Sequence, residues 1–259
     1  MKRKRDIKTR EVHKWKARLN VHGGQQEYAV NFFETYSPVV NWFSVRLFLI
    51  LAILHRWKTR QVDFVLAFPQ ADIEFDLYMN LPKGIQTKYG DGNTHVLKLQ
   101  KNLYGQRQAG RVWVEHLKTG LMKAGFEPSL VDECVFYRGR TNFMFYVDDG
   151  IFMAPTEREI DKAIKDLKAQ NYNIEDKGNI QDYLGINIEY LSGDRIKLSQ
   201  PHLIEQIIKQ VDLNPRVAPK ETPGASTKIL HYEINLPDFD ERYHYRSIIG
   251  KLNFLEKGT

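Results

Sequence analysis

Residues 142–155, NFMFYVDDGIFMAP, place two adjacent aspartates and a glycine between two apolar runs. Asp-Gly between such runs is typical of a tight hairpin turn, which would use Asp149 and Gly150. Asp148 would then end the first strand beside a second carboxylate. Two unit charges about 4 Å apart repel by roughly 4 kcal/mol at an effective dielectric of about 20. A fold tolerates this pair when a cation lies between them, and carboxylate oxygens suit Mg²⁺.

A third acid, Asp63, occurs in the apolar segment RQVDFVLAF, where an unpaired buried carboxylate would be costly. If this strand ends beside the hairpin, Asp63, Asp148 and Asp149 converge. Three such carboxylates can hold two divalent ions and leave room for a triphosphate. Spacing alone leaves a nuclease or a nucleotide cyclase open.

The apolar periodicity predicts an α+β chain, with an antiparallel sheet and helices packed on one face. The predicted helices cover 43–55, a stretch before Gly125, 157–170, and 201–213 with Pro201 at its start. The predicted strands cover 58–68, 77–82, 96–100, 134–138, 143–147 and 151–154, followed by a hairpin over 182–200.

Charge and cysteine content limit the binding partners and the cellular compartment that we expect for the chain. The formal net charge is +6, and six of the first ten residues are Lys or Arg. This basic run predicts a disordered tail, with a nucleic-acid contact or a nuclear-targeting patch as alternatives.

Cys134 is the single cysteine, which excludes an internal disulfide and indicates a reducing compartment. The longest apolar run, LFLILAIL, is far shorter than the roughly 20 residues that span a bilayer, so we expect a soluble, intracellular chain without a membrane partner.

Seven collinear segments carry a family resemblance: KARLNVHGG, FETYSPVV, QVDFVLAF, FDLYMNLPKG, NLYGQRQAGRVW, YVDD and YLGINI. A later segment, YRSIIGKLNFLEKGT, continues the series. With this set, the chain resembles the reverse transcriptase domain of copia-type LTR retrotransposon (Pseudoviridae) polyproteins. Gly110, Asn20 and Pro69 depart from the usual residues of that family, and none of them is a predicted metal ligand.

The resemblance implies a right-handed polymerase fold with fingers, palm and the beginning of a thumb. It implies a basic N-terminal segment at 1–12, fingers and palm at 13–194, and a thumb-like segment at 195–259, truncated before ribonuclease H. The implied activity is RNA-directed DNA polymerisation with two Mg²⁺ ions, or Mn²⁺ in their place. The implied partners are a primed RNA or DNA template and deoxynucleotides, in cytoplasmic virus-like particles or in the nucleus.

The resemblance also assigns site residues. It implies that Asp63, Asp148 and Asp149 are the catalytic metal ligands. The implied deoxynucleotide contacts are Lys16, Arg18, Phe68, Tyr104, Gly105 and Gln108. The implied primer and template contacts are Tyr146, Tyr183, Leu184 and Gly185.

Four of these assignments have a structural alternative. Phe68 would exclude a ribose 2′-hydroxyl by steric clash, or it is ordinary core. Tyr146 could be a plain sheet aromatic, and Lys16 and Arg18 the exposed face of a strand. At the level of the whole chain, the alternatives to a polymerase are an inactive nucleic-acid-binding remnant and another two-metal phosphoryl-transfer enzyme.

Overall fold

The computed structural model describes residues 2–5, 12–82, 84, 95–211 and 244–258. The chain divides into two compact units, Met1–Ile180 and Gln181–Thr259. The elements of the first unit are, in order, β1 (Lys2–Arg5), β2 (Val12–Lys16), α1 (Trp42–Leu54), β3 (Lys58–Phe64), α2 (Ala67–Gln70), β4 (Tyr78–Asn80), β5 (Val96–Lys98), α3 (Ala109–Lys123), β6 (Glu127–Pro128), β7 (Val135–Arg138), β8 (Thr141–Tyr146), β9 (Asp149–Ala154), α4 (Glu157–Lys168) and β10 (Ile174–Gly178). The predicted helices and strands of this unit are thus confirmed, with shifts of a few residues at their ends, except that the strand predicted over 58–68 ends at Phe64 and Phe68 belongs to helix α2.

A six-stranded antiparallel sheet organises this unit, in the order β10-β3-β9-β8-β7-β6. Its central strands are rich in aromatic residues, and Phe143, Phe145 and Phe152 are fully buried. Large aromatic side chains remove much apolar surface from water, so these strands form the core. The expected class, a mixture of helices and antiparallel sheet, is confirmed.

Helices cover both faces of this sheet, so the expectation of helices on one face is wrong. Phe64 contacts Trp113 of α3 on one face, with ring centroids 5.3 Å apart. Phe48 of α1 contacts Tyr137 on the other face, at 6.2 Å. Met144 and Ile151 alternate with the buried phenylalanines along the central strands and are buried as well. Both faces of these strands are therefore apolar, and each face is shielded from water by a helix.

Local sequence signals set the ends of the main helices. In α4, Thr156 and Glu159 form a capping box that satisfies two backbone N–H groups at the helix start. After α3, Gly125 adopts a φ of +81°, which favours glycine and ends the helix as predicted. In the described part of the chain, no helix combines the length and apolar character needed to cross a bilayer.

Four residues of the basic N-terminal segment form a strand. The expectation for residues 1–12 was disorder, whereas β1 pairs antiparallel with β2. A ladder of backbone hydrogen bonds can order a charged segment because it does not depend on which side chains the strand carries. Residues 6–11 lie outside the described part of the chain.

The second unit contains β11 (Asp182–Tyr183), β12 (Ile186–Leu191), β13 (Arg195–Ser199), α5 (Pro201–Gln210) and α6 (Tyr245–Gly258). Its strands form an antiparallel meander, which confirms the predicted hairpin with a turn at residues 192–194. Pro201 occupies the first turn of α5, where its missing N–H costs no hydrogen bond. The segment YRSIIGKLNFLEKGT supplies α6.

Cys134 is expected to resist alkylation in the native state. It is fully buried, and burial, reinforced by Asp132, raises the pKa of its thiol to about 12. Only about one molecule in 10⁴ would then carry the reactive thiolate at pH 8. Iodoacetamide labelling followed by mass spectrometry should be at least about a hundredfold slower in buffer than in guanidinium chloride. Equal rates in the two conditions would contradict this packing.

Candidate active site

One row of side chains, at the end of the sheet where β3 ends and β9 begins, contains two of the three predicted acids. Tyr146 of β8 lies opposite Asp149 of β9, which lies opposite Asp63 of β3, which lies opposite Glu175 of β10. Directly opposed residues of antiparallel strands project from the same face. Four side chains, three of them carboxylates, therefore form a row across four strands, on the face opposite α3.

The hydrogen-bond pattern brings Asp63 and Asp149 into the closer kind of cross-strand pair. The Phe64 N–H donates to the Asp148 carbonyl at 2.8 Å, one step beyond the Asp63–Asp149 pair. Because hydrogen-bonded and non-hydrogen-bonded pairs alternate, Asp63 and Asp149 form a non-hydrogen-bonded pair. Their Cβ atoms are expected to be about 4.5–5.5 Å apart, and like charges so placed repel.

The tight turn lies at Val147 and Asp148, so its prediction at Asp149 and Gly150 is wrong. Asp149 begins β9, and Gly150 lies inside that strand opposite Val62 and Phe145. Packing selects this register: a Cβ on Gly150 would come within 2.7 Å of the Phe143 ring. The glycine is thus required for space inside the sheet, and Asp148 is displayed at the tip of the turn.

Trp113 anchors this turn from the core. Its indole N–H donates to the Val147 carbonyl at 2.6 Å, and its side chain is fully buried in α3. Val147 adopts a φ of +56°, a left-handed conformation that is unfavourable for a β-branched residue. Strain of this kind persists only where the surroundings impose it, and it is concentrated at functional sites.

Phe68 reaches the site through a sharp bend after β3. Leu66 has a φ of +55° and precedes α2, which contains Phe68. Gln70 stabilises the bend, because its Nε2 donates to the Val65 carbonyl at 2.8 Å and its Oε1 accepts from the Asn173 N–H at 2.9 Å. The half-buried Phe68 ring packs against Tyr104, with centroids 5.0 Å apart.

Tyr104 and Arg18 lie with Phe68 near the acids. The Arg18 guanidinium lies over the Tyr104 ring, 4.5 Å from its centroid. The pKa of Tyr104 is raised, first by burial and then by the charges of Asp148 and Asp63, while Arg18 opposes the rise. The phenol therefore lies within electrostatic reach of two of the predicted metal ligands and of a cation.

The loop that carries Tyr104, Gly105 and Gln108, here called the Tyr104 loop, packs closely on residues 20–26. The Val21 N–H donates to the Tyr104 carbonyl at 2.8 Å. Gly105 has a φ of +92°, and a Cβ on it would come within 2.1 Å of the Val21 carbonyl oxygen, so only glycine fits. Gln108 is buried, and its Oε1 accepts from Gln26 Nε2 at 3.0 Å. Of the three predicted nucleotide contacts in this loop, Tyr104 and Gly105 are accessible and Gln108 is internal.

Three of the remaining predicted contacts belong to the second unit. Tyr183 is fully buried, and it pairs with Ile186 across a turn made by Leu184 and Gly185. Leu184 and Gly185 have φ values of +51° and +83°, so the glycine suits its place in the turn. A direct primer contact by this hairpin would therefore fall to the turn residues rather than to Tyr183.

Lys16 ends β2, and its side chain lies outside the described part of the structure.

The carboxylate row fits divalent cations by donor chemistry and by backbone position. Hard oxygen donors suit Mg²⁺, and the repulsion between Asp63 and Asp149 would be offset by a bound cation. Across the residues that the structure describes, no three acidic or histidine side chains already meet in a metal-binding arrangement. The side chains would therefore have to turn towards a bound ion to ligate it together.

Sequence patterns did not reveal several residues that shape this site. Glu175 extends the acid row, but only the pairing of β10 with β3 places it there, and it also forms an ion pair with Lys177 at 2.5 Å. Gln26 supports the Tyr104 loop, because its Oε1 accepts from the Arg107 N–H at 2.8 Å. An isolated Glu or Gln in a polar stretch carries no local signal of such a role.

Comparison with known proteins identifies the family of this chain. Residues 1–225 match the family described as reverse transcriptase (RNA-dependent DNA polymerase). Because this match covers most of the chain, the chain belongs to the reverse transcriptase family.

Within that family, the proteins similar to this chain include retrotransposon polyproteins. The chain is 31% identical over 250 residues to the retrovirus-related Pol polyprotein from transposon RE2 of Arabidopsis thaliana, covering 94% of this chain and 17% of that protein. It is 30% identical over 253 residues to the Pol polyprotein from transposon TNT 1-94 of Nicotiana tabacum, covering 93% and 19%. It is 29% identical over 240 residues to the transposon Ty1-H Gag-Pol polyprotein of Saccharomyces cerevisiae, covering 86% and 13%. The chain spans less than a fifth of the length of each of these relatives.

Proposed function

We propose that this chain catalyses template-directed addition of deoxynucleotides to a primer 3′-hydroxyl. The observation that carries the proposal is the pairing of Asp63 with Asp149, next to a turn that displays Asp148. Three carboxylates from two adjoining strands can hold two divalent ions, whereas a solvated turn would not require the buried Trp113 anchor. Bound Mg²⁺ would supply the Lewis acidity that activates the primer hydroxyl and offsets charge on the phosphate.

The chain's own residues would bind and orient the deoxynucleotide. Arg18, held over Tyr104, would stabilise triphosphate charge, as would Lys16 at the end of β2. Gly105 lets the loop pack closely against the Val21 backbone, and the Gln108–Gln26 hydrogen bond keeps that loop in place, so that it would be held beside a nascent base pair. Fixed positioning of this kind contributes more than direct chemistry in phosphoryl transfer.

Primer and template contacts are proposed in each of the two units separately. Tyr146, opposite Asp149, is suited to contact the primer terminus. We assign fingers and palm to residues 13–194 and a thumb-like role to 195–259, with Leu184 and Gly185 as the primer-gripping turn. The proposed partners are a primed RNA or DNA template and deoxynucleotides, within cytoplasmic particles or the nucleus.

Phe68→Ala is expected to weaken discrimination against ribonucleotides by about tenfold, because the ring would no longer clash with the 2′-hydroxyl. The measurement is the ratio of kcat/KM values for a deoxynucleotide and the matching ribonucleotide in single-nucleotide primer extension. Phe75→Ala is the matched control, since Phe75 packs against Phe33 rather than against Tyr104. An unchanged ratio together with lower stability would assign Phe68 to the core instead.

Primer extension on poly(rA)/oligo(dT) with Mg²⁺ tests the proposed function directly. We expect thymidine nucleotide incorporation that requires both the template and the metal. Nucleic-acid binding without extension would indicate an inactive binding remnant. A product formed from a nucleoside triphosphate without any template would indicate another two-metal enzyme, such as a cyclase.

A further inference from the structure

Helix α1 carries apolar residues on two opposite sides but buries only one of them. The buried side packs on the sheet and consists of Val45, Phe48, Leu49 and Ala52. The opposite side carries a second apolar row, in which every member is exposed: Phe43, Leu47, Ile50 and Leu54. A helix that is hydrophobic all round is ordinarily covered all round, so the second row is suited to a partner.

The exposed row has the spacing of a coiled-coil seam. Its members are four, three and four residues apart, which is the a and d pattern with which one helix packs against another. Phe43 is 74% exposed and Leu54 is 70% exposed, so the row is open at both ends of the helix. Single exposed apolar residues are ordinary on a protein surface, whereas a continuous row of them marks an interaction site.

A neighbouring loop enlarges this apolar surface. Asp132 accepts from the Asn41 N–H at 3.0 Å and from the Ser44 hydroxyl at 2.6 Å, which fastens the loop between β6 and β7 to the start of α1. Leu130 and Val131 belong to the same loop and are fully exposed. The row and these two residues, here called the α1 patch, together expose on the order of 700 Å². That area approaches the roughly 800 Å² that each partner contributes to a stable protein–protein interface.

The composition of the α1 patch favours a protein partner over a nucleic acid or a membrane. Phosphate-backbone contacts and interfacial membrane helices both call for clustered Lys or Arg, and α1 offers only Arg46. Protein interfaces, by contrast, are depleted of charge at their centre and enriched in aromatic residues.

The spacing of the row indicates which protein. A four-three-four spacing reads the same in both directions, so an antiparallel second copy would set Leu47 opposite Ile50 and Phe43 opposite Leu54, each pair occurring twice. Antiparallel pairing also sets opposite ends of the two helix dipoles side by side. We propose that the α1 patch joins two copies of this chain in an antiparallel, two-fold symmetric dimer.

Sedimentation velocity of the 259-residue chain between about 1 and 100 μM tests the dimer. We expect a change from monomer to dimer with a Kd in the micromolar range, the weak end for an interface of this size. Ile50→Glu and Leu54→Glu should each raise that Kd by about a hundredfold or more, because the interface would then bury an unpaired carboxylate. Both positions are exposed in the monomer, so circular dichroism should show the parent helix content.

Ile208→Glu is the matched control, since Ile208 is an exposed isoleucine of α5, and this variant should keep the parent Kd. A parent chain that stays monomeric at about 100 μM would overturn the proposal. A dimer that persists in both α1 variants would also overturn it, because its interface would then lie elsewhere.

Cross-linking tests the orientation of the two copies. Phe43→Cys and Leu54→Cys chains of different tag length are mixed and treated with a short bis-maleimide, and the parent chain is the control because its Cys134 is buried. In the antiparallel dimer the two introduced cysteines are opposite each other, whereas identical ones lie about 16 Å apart along the helix axis. We therefore expect the mixed product to predominate. A predominance of self-linked products would overturn the antiparallel dimer.

These measurements use neither template nor nucleotide, so they are independent of the proposed function. A monomeric chain that extends primers would reject the dimer and leave the proposed function standing. A dimeric chain that does not extend primers would support the dimer and count against the proposed function.

Discussion

Replacing Asp148 and Asp149 together by asparagine is expected to lower template-dependent incorporation by about 10³-fold or more. Amide oxygens are weaker ligands for hard cations than carboxylates are, and loss of several kcal/mol of metal-assisted stabilisation corresponds to a rate change of that size. Asp63→Asn should have a comparable effect, because Asp63 lies directly opposite Asp149. The measurement is single-turnover incorporation into a primed template at saturating Mg²⁺.

The same substitutions should leave the fold intact or make it slightly more stable in metal-free buffer. Opposed like charges on neighbouring strands are unfavourable by about 0.2–1 kcal/mol, and asparagine removes them. Asp161→Asn is the matched control, since Asp161 of α4 contacts Arg60 of β3 and Arg60 keeps its bonds to Glu157 and Asp176. A double variant as active as the parent would remove these aspartates from the site.

Trp113→Ala is expected to lower the free energy of unfolding by about 3–5 kcal/mol, the range for deleting a large buried aromatic. Trp113 is fully buried, packs edge-on against Phe64 and holds the Val147 carbonyl. Urea denaturation followed by circular dichroism measures the change. Trp15→Ala is the control, because Trp15 is 58% exposed and its loss should change stability by about 0.5 kcal/mol or less.

Trp113→Phe separates packing from the turn anchor. A phenyl ring keeps most of the apolar contact but leaves the Val147 carbonyl without the indole N–H, at a cost of about 1–3 kcal/mol. Because the anchored turn displays Asp148, incorporation per folded molecule should fall by about ten- to a hundredfold. Full activity in a stably folded Trp113→Phe protein would show that the anchor serves stability alone.

Much of the fold could be predicted from local patterns. Apolar spacing identified α1, α3 and α4, and Pro201 and Gly125 correctly marked a helix start and a helix end. These signals are readable because helix periodicity and capping depend on residues close in the chain. Which face of the sheet each helix covers could not be predicted from the sequence, since both sides of the central strands are apolar.

The hairpin shows where a local pattern fails. Asp149-Gly150 is a strong turn signal, yet the turn uses Val147 and Asp148, a poor sequence for a left-handed position. Three contacts select this register: Phe64 with Asp148 and Trp113 with Val147, which join distant segments, and the Phe143 ring against Gly150 within the hairpin. Their combined free energy exceeds the local preference.

The sequence by itself determined the ingredients: three acids in apolar settings, the strands and helices that carry them, and motifs collinear with one family. Only the tertiary structure decided the strand register that sets Asp63 against Asp149 and adds Glu175 to the row. Register depends on side-chain packing between segments far apart in the chain, and short-range periodicity carries no information about that packing.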